Sequence, residues 1–502
     1  MIARVFATLG LARGDLWVIA GLFVSSRLLY AWLGVEFDAS TLPNYMQFID
    51  VELLKTRLLE SLWYYHANPP LLNLFAGLGL KLFGVRADIF FSVVFHLLGL
   101  LAAATVYVLT LRLSGARAAA VAATGLMVFS PSFVLYENWL MYSFPAAIML
   151  TVSAWMLYRY VETRQTKWCA AFFGVLAILL LTRSLFHLAW MILVAVALFA
   201  CLRERRKEAL LAAIVPLLVV AAWYGKNYYY FGVFSSSTWM GLGLSNISTL
   251  VATRQELQPL VADGRLTPFA LVSRYREMDK LFTPQQLPPS GIPVLDQVRK
   301  STGRYNFNNR QIVLIGEYYK QDALTTIRRY PFNYVYGLVL ANGLFFSPSN
   351  MNMYFSAHNR AAVAPMERWF NPLLYGVSAA SNVVDQPHFG LNTGWTLEMN
   401  VSKAMIALWL LVLPYGYWQA RQGVLRGVAE AKPRAIVMGF IVLTAVYLYA
   451  VGTMLELGEN FRYRFLIEPL FFVLTATAAV SLVNLIKLRI GNARDHRQRD
   501  RS

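Results

Sequence analysis

The chain has 502 residues, 57% of them apolar and 14% charged, with a formal net charge of +18. A chain this apolar is not a string of soluble domains, whose helices would carry amphipathic stripes; many stretches here are apolar all round, as in helices surrounded by lipid or by other helices. Nor does the charge indicate nucleic acid: the basic residues fall in short segments between apolar runs (Arg4 and Arg13, Arg112 and Arg117, Arg159 to Lys167, Arg203 to Lys207, Arg421 to Arg434, Lys487 to Arg501), which reports membrane topology and contact with anionic lipid.

The first apolar run, 16–35, has a basic start like a signal peptide. It is long enough to cross a bilayer and lacks a small-residue cleavage site, so it is expected to remain as a first span. It ends in "LGVEFDAS", which places Glu36 and Asp38 at a helix C-terminus, where the partial negative charge disfavours acids. Capping does not explain them.

From 36 to 87 the chain is expected outside. "NYMQFIDVELLKTRLLESLWYY" puts Phe48, Val51, Leu54, Leu58 and Leu62 on one face and reads as a helix lying on the membrane. The prolines of "NPPLLNLFAGLGLKLFG" then stop one helix and start another. Further spans are predicted at 88–111, 117–136, 143–160, 168–182, 185–202, 209–225, 401–420, 435–456 and 465–487. Alternated from a cytoplasmic N-terminus, they place every basic cluster on the cytoplasmic side, with both termini there. The stretch Trp168 to Leu202 would be about 52 Å long as one helix, too long for a ~30 Å core. With both flanks basic it must break, at "LTRSL", leaving Arg183 somewhat below the outer surface. An arginine there is costly and should face a polar cavity or an anionic partner.

The region 226–400 is expected to be a long outer segment in which 331–348 and 365–384 either dip into the membrane as a pair or stay outside. Residues 1–487 form a single transmembrane domain, and 488–502 are a basic cytoplasmic tail. Cys169 and Cys201 stand at cytoplasmic span edges, which argues against a disulfide framework and a cysteine-ligated metal. The expected fold is an all-α polytopic membrane protein with about 10–12 transmembrane helices and interfacial helices in the first outer loop.

Apart from Arg27, the ionisable residues near spans gather at their outer ends: Glu36, Asp38, His66, Glu137, Arg183, Lys226, Glu456, Glu459, Arg462 and Arg464. A transporter needs groups near the midplane, and a pump would carry acids within its spans. The pattern instead describes a site at the outer interface. Arg462 and Arg464 run against the positive-inside bias, which fits anion binding. Each residue also has a plainer reading: solvated loop acids for Glu36 and Asp38, a helix cap for Glu137, a packed interfacial histidine for His66. Nucleotide, zinc-protease and serine-hydrolase motifs are absent.

The ordered set "LGVEFDAS", "YYHANPPLLNLFAGLGLKLFG", "SPSFVLYENWLMYSFP", "KNYYYFGVFSSSTWMGLGLSN" and "GENFRYRFLIEPLF" resembles the GT-C glycosyltransferases. The likeness is to the protein O-mannosyltransferase-like branch (the bacterial family 39 type) that includes the lipid A aminoarabinose transferases. It extends over about 16–487, and 255–395 adds little to it. The resemblance implies a GT-C-type bundle in the bacterial inner membrane. There a sugar would pass with inversion from a polyprenyl-phosphate donor to a hydroxyl of a lipid or glycan acceptor, at a periplasmic site. Asp38 takes the place of the proposed general base, Glu36 completes the acidic motif, and Glu137 matches a second-loop acid that helps bind acceptor or metal in relatives. Mannosyltransferases carry an adjacent Asp-Glu pair rather than Glu-x-Asp, and they have soluble lumenal domains that this chain lacks.

The residues agree with that chemistry. A carboxylate within reach of a hydroxyl can accept its proton during attack, and an anionic lipid phosphate leaves more readily beside positive charge. Arg183, Lys226 with its neighbour Asn227, Arg462 or Arg464 could supply substrate contacts, with His66 and Glu459 beside them. Glu36, Asp38, Glu137 and His66 are a candidate set for Mg²⁺, Mn²⁺ or Zn²⁺, though their spacing does not require a metal, and no other cofactor is implied. Expected partners are the lipid-linked donor, the acceptor and membrane lipid, with no nucleic acid. The competing readings are a transporter or flippase of lipid-linked sugars, and a membrane acyltransferase with His66 as base.

Overall fold

The computed structural model describes residues 10–272, 287–378, 382–384, 397–426 and 432–499. They are almost entirely helical, and each of the ten predicted spans falls on a helix. In chain order these are α1 (Arg13–Trp32), α2 (Leu71–Phe83), α3 (Ala87–Ser114), α4 (Arg117–Phe129), α5 (Pro131–Glu137), α6 (Ser143–Thr163), α7 (Thr166–Leu180), α8 (Leu188–Cys201), α9 (Arg206–Phe231), α10 (Gln311–Arg329), α11 (Pro331–Phe345), α12 (Ala357–Phe370), α13 (Lys403–Arg426), α14 (Lys432–Met454), α15 (Asn460–Phe465) and α16 (Glu468–Arg499). Shorter helices, among them Met240–Ile247 and Arg254–Ala262, lie in the connecting segments, and the described residues include one short antiparallel pair, Asn382–Val384 with Leu397–Met399.

Among the described residues, five stretches are long and apolar enough to cross a membrane: α1, Leu71–Ser114, α9, α14 and Glu468–Ile490. The α4–α5 pair makes a sixth, bent by 59° where Pro131 cannot continue the hydrogen-bond ladder of α4. The other predicted spans are helices as well, α7 and α8 at only 15 and 14 residues. This is a multi-pass helical membrane protein. α3, α6, α14 and α16 pack on one another at its centre, with Ala102, Ala103, Ala104 and Val106 of α3 fully buried.

Leu71–Ser114 is not a single rod, which would be about 66 Å long. Gly84 (φ +55°) and a 3₁₀ turn reverse the chain. Phe75 of α2 then lies 5.2 Å from Phe91 and 6.4 Å from Phe95 of α3, ring to ring. The prolines of "NPPL" therefore open a helix that folds back on α3 as a hairpin.

The expected interfacial helix is broken into short pieces, Val51–Thr56 and Leu58–Trp63, with Arg57 out of helical conformation between them. Of its expected apolar face, Phe48, Leu54, Leu58 and Leu62 are buried and Val51 is half-buried. Leu59 and Trp63 are exposed, an apolar edge suited to the membrane boundary. Asp50 caps the first piece by accepting from Glu52 N, and it also accepts from Ser301 N and Oγ, pinning the outer segment 297–305 to the first loop. Lys300 donates to Tyr45 O at 2.6 Å in the same clasp. Burial lowers its ammonium to a pKa of about 8 against the pull of Asp50.

Of the two ambiguous segments, 331–348 contains α11, whose 15 residues reach about 22 Å, short of a bilayer core. The other, 365–384, ends α12 and continues as a π-helical turn, Asn371–Tyr375, before passing into residues that lie outside those described.

Inside the bundle, Arg27 of α1 meets Glu137 of α5, Nε to Oε2 at 2.6 Å, with the Glu137 side chain fully buried. Gly99 of α3 makes room for it: a Cβ there would stand 1.9 Å from Glu137 Oε1. Gly99→Ala should therefore displace the carboxylate and lower the thermal unfolding midpoint in detergent. The loss should approach the ~3–5 kcal/mol of stranding one member of a buried pair. An unchanged midpoint would mean that Glu137 has another seat.

Candidate active site

The loop after α1 and the loop between α5 and α6 are joined through backbone. Asp38 N donates to Asn138 O at 2.8 Å and Leu140 N to Asp38 O at 3.0 Å, a one-residue parallel bridge between Asp38 and Trp139. Thr41 Oγ1 adds a bond to Leu140 O. These contacts fix the Asp38 carboxylate at the turn between α5 and α6. The carboxylate is partly exposed, and its Oδ1 accepts from Ser40 N at 2.9 Å. Glu36 is exposed and is held by its backbone, exchanging hydrogen bonds with the Asn359 side chain.

Across the aromatic wall of Tyr45, Trp139 and Tyr142 lie two buried guanidiniums. Arg462 donates from Nε to Ser143 Oγ at 2.7 Å and from Nη1 to Glu459 Oε2 at 2.7 Å. Arg183, in the turn between α7 and α8, donates from Nη1 to the same Ser143 Oγ at 3.2 Å. Both stack on Tyr142, at 4.7 and 4.5 Å from its ring centre. Arg462 also faces Trp139, and Arg183 faces Tyr463. Tyr45 ties the acid to this group: burial, with Asp38 and Glu459 nearby and Arg462 pulling the other way, pushes its phenol up to about 12. It stays protonated and donates to Tyr354 O.

Charge does not balance here. Arg464, also buried, turns away to Ser347 O, Ser349 Oγ and Glu468. Arg462 has Glu459. Among the described residues no carboxylate lies within 4.0 Å of Arg183, so the anionic partner expected for it is not supplied by them. Arg183 Nε and Arg462 Nη2 are buried without a hydrogen-bond partner among the described residues. Unpaired buried guanidinium N–H groups are costly, and a phosphate would satisfy them.

Other predicted site residues go elsewhere. Glu137 is engaged with Arg27 inside the bundle. His66 is fully buried, with Nε2 3.0 Å from Asn308 O and Nδ1 2.9 Å from Thr238 Oγ1. A carbonyl only accepts, so Nε2 carries the proton and Nδ1 accepts from the threonine, leaving no lone pair for a metal or for general-base work. Lys226 and Asn227 lie within α9, which continues past the expected end of that span. Lys226 Nζ donates to Trp63 O and Tyr65 O, and Asn227 Nδ2 to Ser235 O, so both hold outer-loop backbone. Glu456 accepts from Asn246. The candidate metal set is thus not assembled, and the described residues contain no group of three or more His, Cys, Asp or Glu arranged for a metal ion.

Sequence reading missed Ser143, Tyr142, Trp139 and Tyr45. All but Tyr45 stand in "ENWLMYS", where only Glu137 carries a charge to draw notice.

No protein-family model matches the chain, and no curated protein matches it. Among solved structures the chain is similar to ArnT from Cupriavidus metallidurans bound to undecaprenyl phosphate, at 17% identity over 88% of this chain and 78% of that one, with a TM-score of 0.36. It is also similar to the same protein in the apo state, at 14% identity over 91% and 78%, with a TM-score of 0.31. Both superpositions are loose.

The His66 ring makes a separate prediction. Burial, with Lys226 adding to it against backbone hydrogen bonds, lowers its pKa from 6.5 to about 3. The unfolded chain takes up this proton near pH 6.5 and the folded chain resists it. The contribution is complete above about pH 6.5 and is lost as pH falls toward 3. The thermal midpoint measured from pH 8 to pH 4 should fall below pH 6.5, and His66→Gln should flatten that dependence. An identical slope in the variant would assign the acid lability to other groups.

Proposed function

We propose that this chain is a GT-C-type inverting glycosyltransferase that takes a sugar from a polyprenyl-phosphate donor and passes it to a hydroxyl of a lipid or glycan acceptor at the outer, periplasmic membrane face. The observation that carries the reading is the pairing of a loop-bound carboxylate, Asp38, with a buried cationic pair, Arg183 and Arg462, that has one carboxylate between them.

In this reading the acceptor oxygen attacks the anomeric carbon from the face opposite the phosphate, so the configuration inverts. The new C–O bond forms as the bond to the phosphate oxygen breaks. The hydroxyl proton passes to Asp38, and the departing electron pair stays on the lipid phosphate, whose negative charge rises by one. A carboxylate base contributes about 10²–10⁴-fold. Arg183 and Arg462 face the growing phosphate charge where water is scarce, so their N–H groups act more strongly than they would in solvent. No strong general acid is required, because the leaving phosphate is weakly basic. Glu459 keeps Arg462 in place, and Glu36 and the Asn359 clasp hold the approach to Asp38.

An apolar groove of about 640 Å³ between α11, α13 and α14, lined by Val339, Phe346, Trp409, Leu413, Val446 and Tyr449, suits the polyprenyl tail. Its upper residue, Phe346, precedes the Ser347–Ser349 turn that holds Arg464, two residues from Arg462.

The test is transfer from a panel of labelled polyprenyl-phosphate sugars in membranes. Wild type should consume a donor, and Asp38→Asn, which keeps side-chain volume and backbone bridge, should lose at least about 10²-fold in kcat. Equal turnover by the variant would remove Asp38 as base, and transmembrane movement of an unconsumed donor would favour the flippase reading. Arg183→Ala should raise KM for the donor more than for the acceptor; the reverse would place Arg183 on the acceptor side.

A further inference from the structure

Ser143 is the first residue of the 21-residue helix α6, and it is fully buried. Its oxygen accepts two hydrogen bonds from two different arginines, one from an outer turn and one from the short helix α15. A serine oxygen has two lone pairs, and both are taken, which leaves the hydroxyl proton for a third partner. No hydrogen bond donated by Ser143 Oγ is present among the described residues. Two like charges are thus drawn to one neutral atom, in a setting where repulsion is weakly screened and where, among the described residues, Glu459 on Arg462 is the one carboxylate within ion-pair distance. Packing alone gives no reason for that arrangement, since a neutral hydroxyl cancels neither charge. The unpartnered N–H groups, Arg183 Nε and Arg462 Nη2, belong to the two guanidiniums that this oxygen ties together. The N-terminus of α6 adds partial positive charge at the same point.

Resting on the glycosyl-transfer reading above, we propose that Ser143 is the positioning residue of the donor-phosphate site: it holds the Arg183 and Arg462 guanidiniums side by side, so that one phosphate group receives hydrogen bonds from both. Ser143 acts through the arginines, and its removal leaves each guanidinium intact but no longer aligned.

The experiment measures binding of a short isoprenyl phosphate and of the matching isoprenol to the purified full chain in detergent, for wild type, Ser143→Ala, Arg183→Gln and the double variant. Wild type should prefer the phosphate. Ser143→Ala should weaken phosphate binding about tenfold or more, the scale of one lost charge-assisted hydrogen bond, while isoprenol affinity stays unchanged and reports an intact fold. In the double variant, Ser143→Ala should add little to the loss caused by Arg183→Gln, because both act on one alignment. Full phosphate affinity in Ser143→Ala, or losses that simply add, would overturn the proposal. Should Ser143→Ala fail to fold, Arg183→Gln, which keeps the bond between Ser143 and Arg462, decides it: retained phosphate preference there overturns the shared cradle. A wild type that binds isoprenyl phosphate yet transfers no sugar would end the glycosyltransferase reading and leave the cradle standing. A wild type without phosphate preference would end the cradle whatever the transfer assay shows.

Discussion

Three guanidiniums, those of Arg183, Arg462 and Arg464, are buried where the loops meet the bundle, and among the described residues two carboxylates, Glu459 and Glu468, lie within ion-pair distance of them. Taking a charge out of water costs several kcal/mol, and the cost is recovered only with a well-placed counter-charge and satisfied hydrogen bonds. Arg464 has the counter-charge, Glu468, and donates from Nη2 to Ser347 O and Ser349 Oγ, although its Nε and Nη1 find no hydrogen-bond partner among the described residues. Arg183 and Arg462 share a serine and the face of Tyr142, and among the described residues Glu459 pairs with Arg462 alone, which leaves an excess of positive charge and unsatisfied N–H groups. The remainder of the loop architecture follows from keeping that excess in place: α7 and α8 break to deliver Arg183, the short helix α15 delivers Arg462, and the start of α6 supplies the atom they share.

A similar economy governs the acid. Asp38 reaches the site through backbone hydrogen bonds to Asn138 and Leu140, so its position is fixed without engaging the carboxylate in an ion pair. The Lys300 and Ser301 clasp on Tyr45 and Asp50 steadies the loop from outside. Glu137 shows the contrary case. Although close in sequence to the site, it is drawn inward by Arg27, and Gly99 supplies the space it occupies. One acid is left available and the other is neutralised, and the difference lies in which cation each can reach.

Much of the bundle was legible in the sequence because lipid imposes a strong signal. Apolar runs flanked by basic residues locate the helices, and the requirement that Trp168 to Leu202 go in and return located the break that carries Arg183. The face formed by Phe48, Leu54, Leu58 and Leu62 was correctly read although the helix itself is broken, since burial follows side-chain period more closely than helix continuity. The site was legible only in outline. Charge at span ends marks where polar groups gather but not which of them pair, so Glu137, His66 and Lys226 were grouped with Asp38 although their hydrogen bonds are spent on Arg27, on Asn308 and Thr238, and on Trp63 and Tyr65. Ser143 could not be found this way: a lone serine at a helix start is common, and its meaning depends on two arginines distant in sequence, 40 and 319 residues away.

The most direct test of the account is an experimental structure of the full chain with a non-hydrolysable polyprenyl-phosphate sugar analogue. The account predicts the phosphate on Arg183 and Arg462 beside Tyr142, and the sugar directed toward Asp38. A phosphate seated away from these arginines, or a sugar turned away from Asp38, would contradict it.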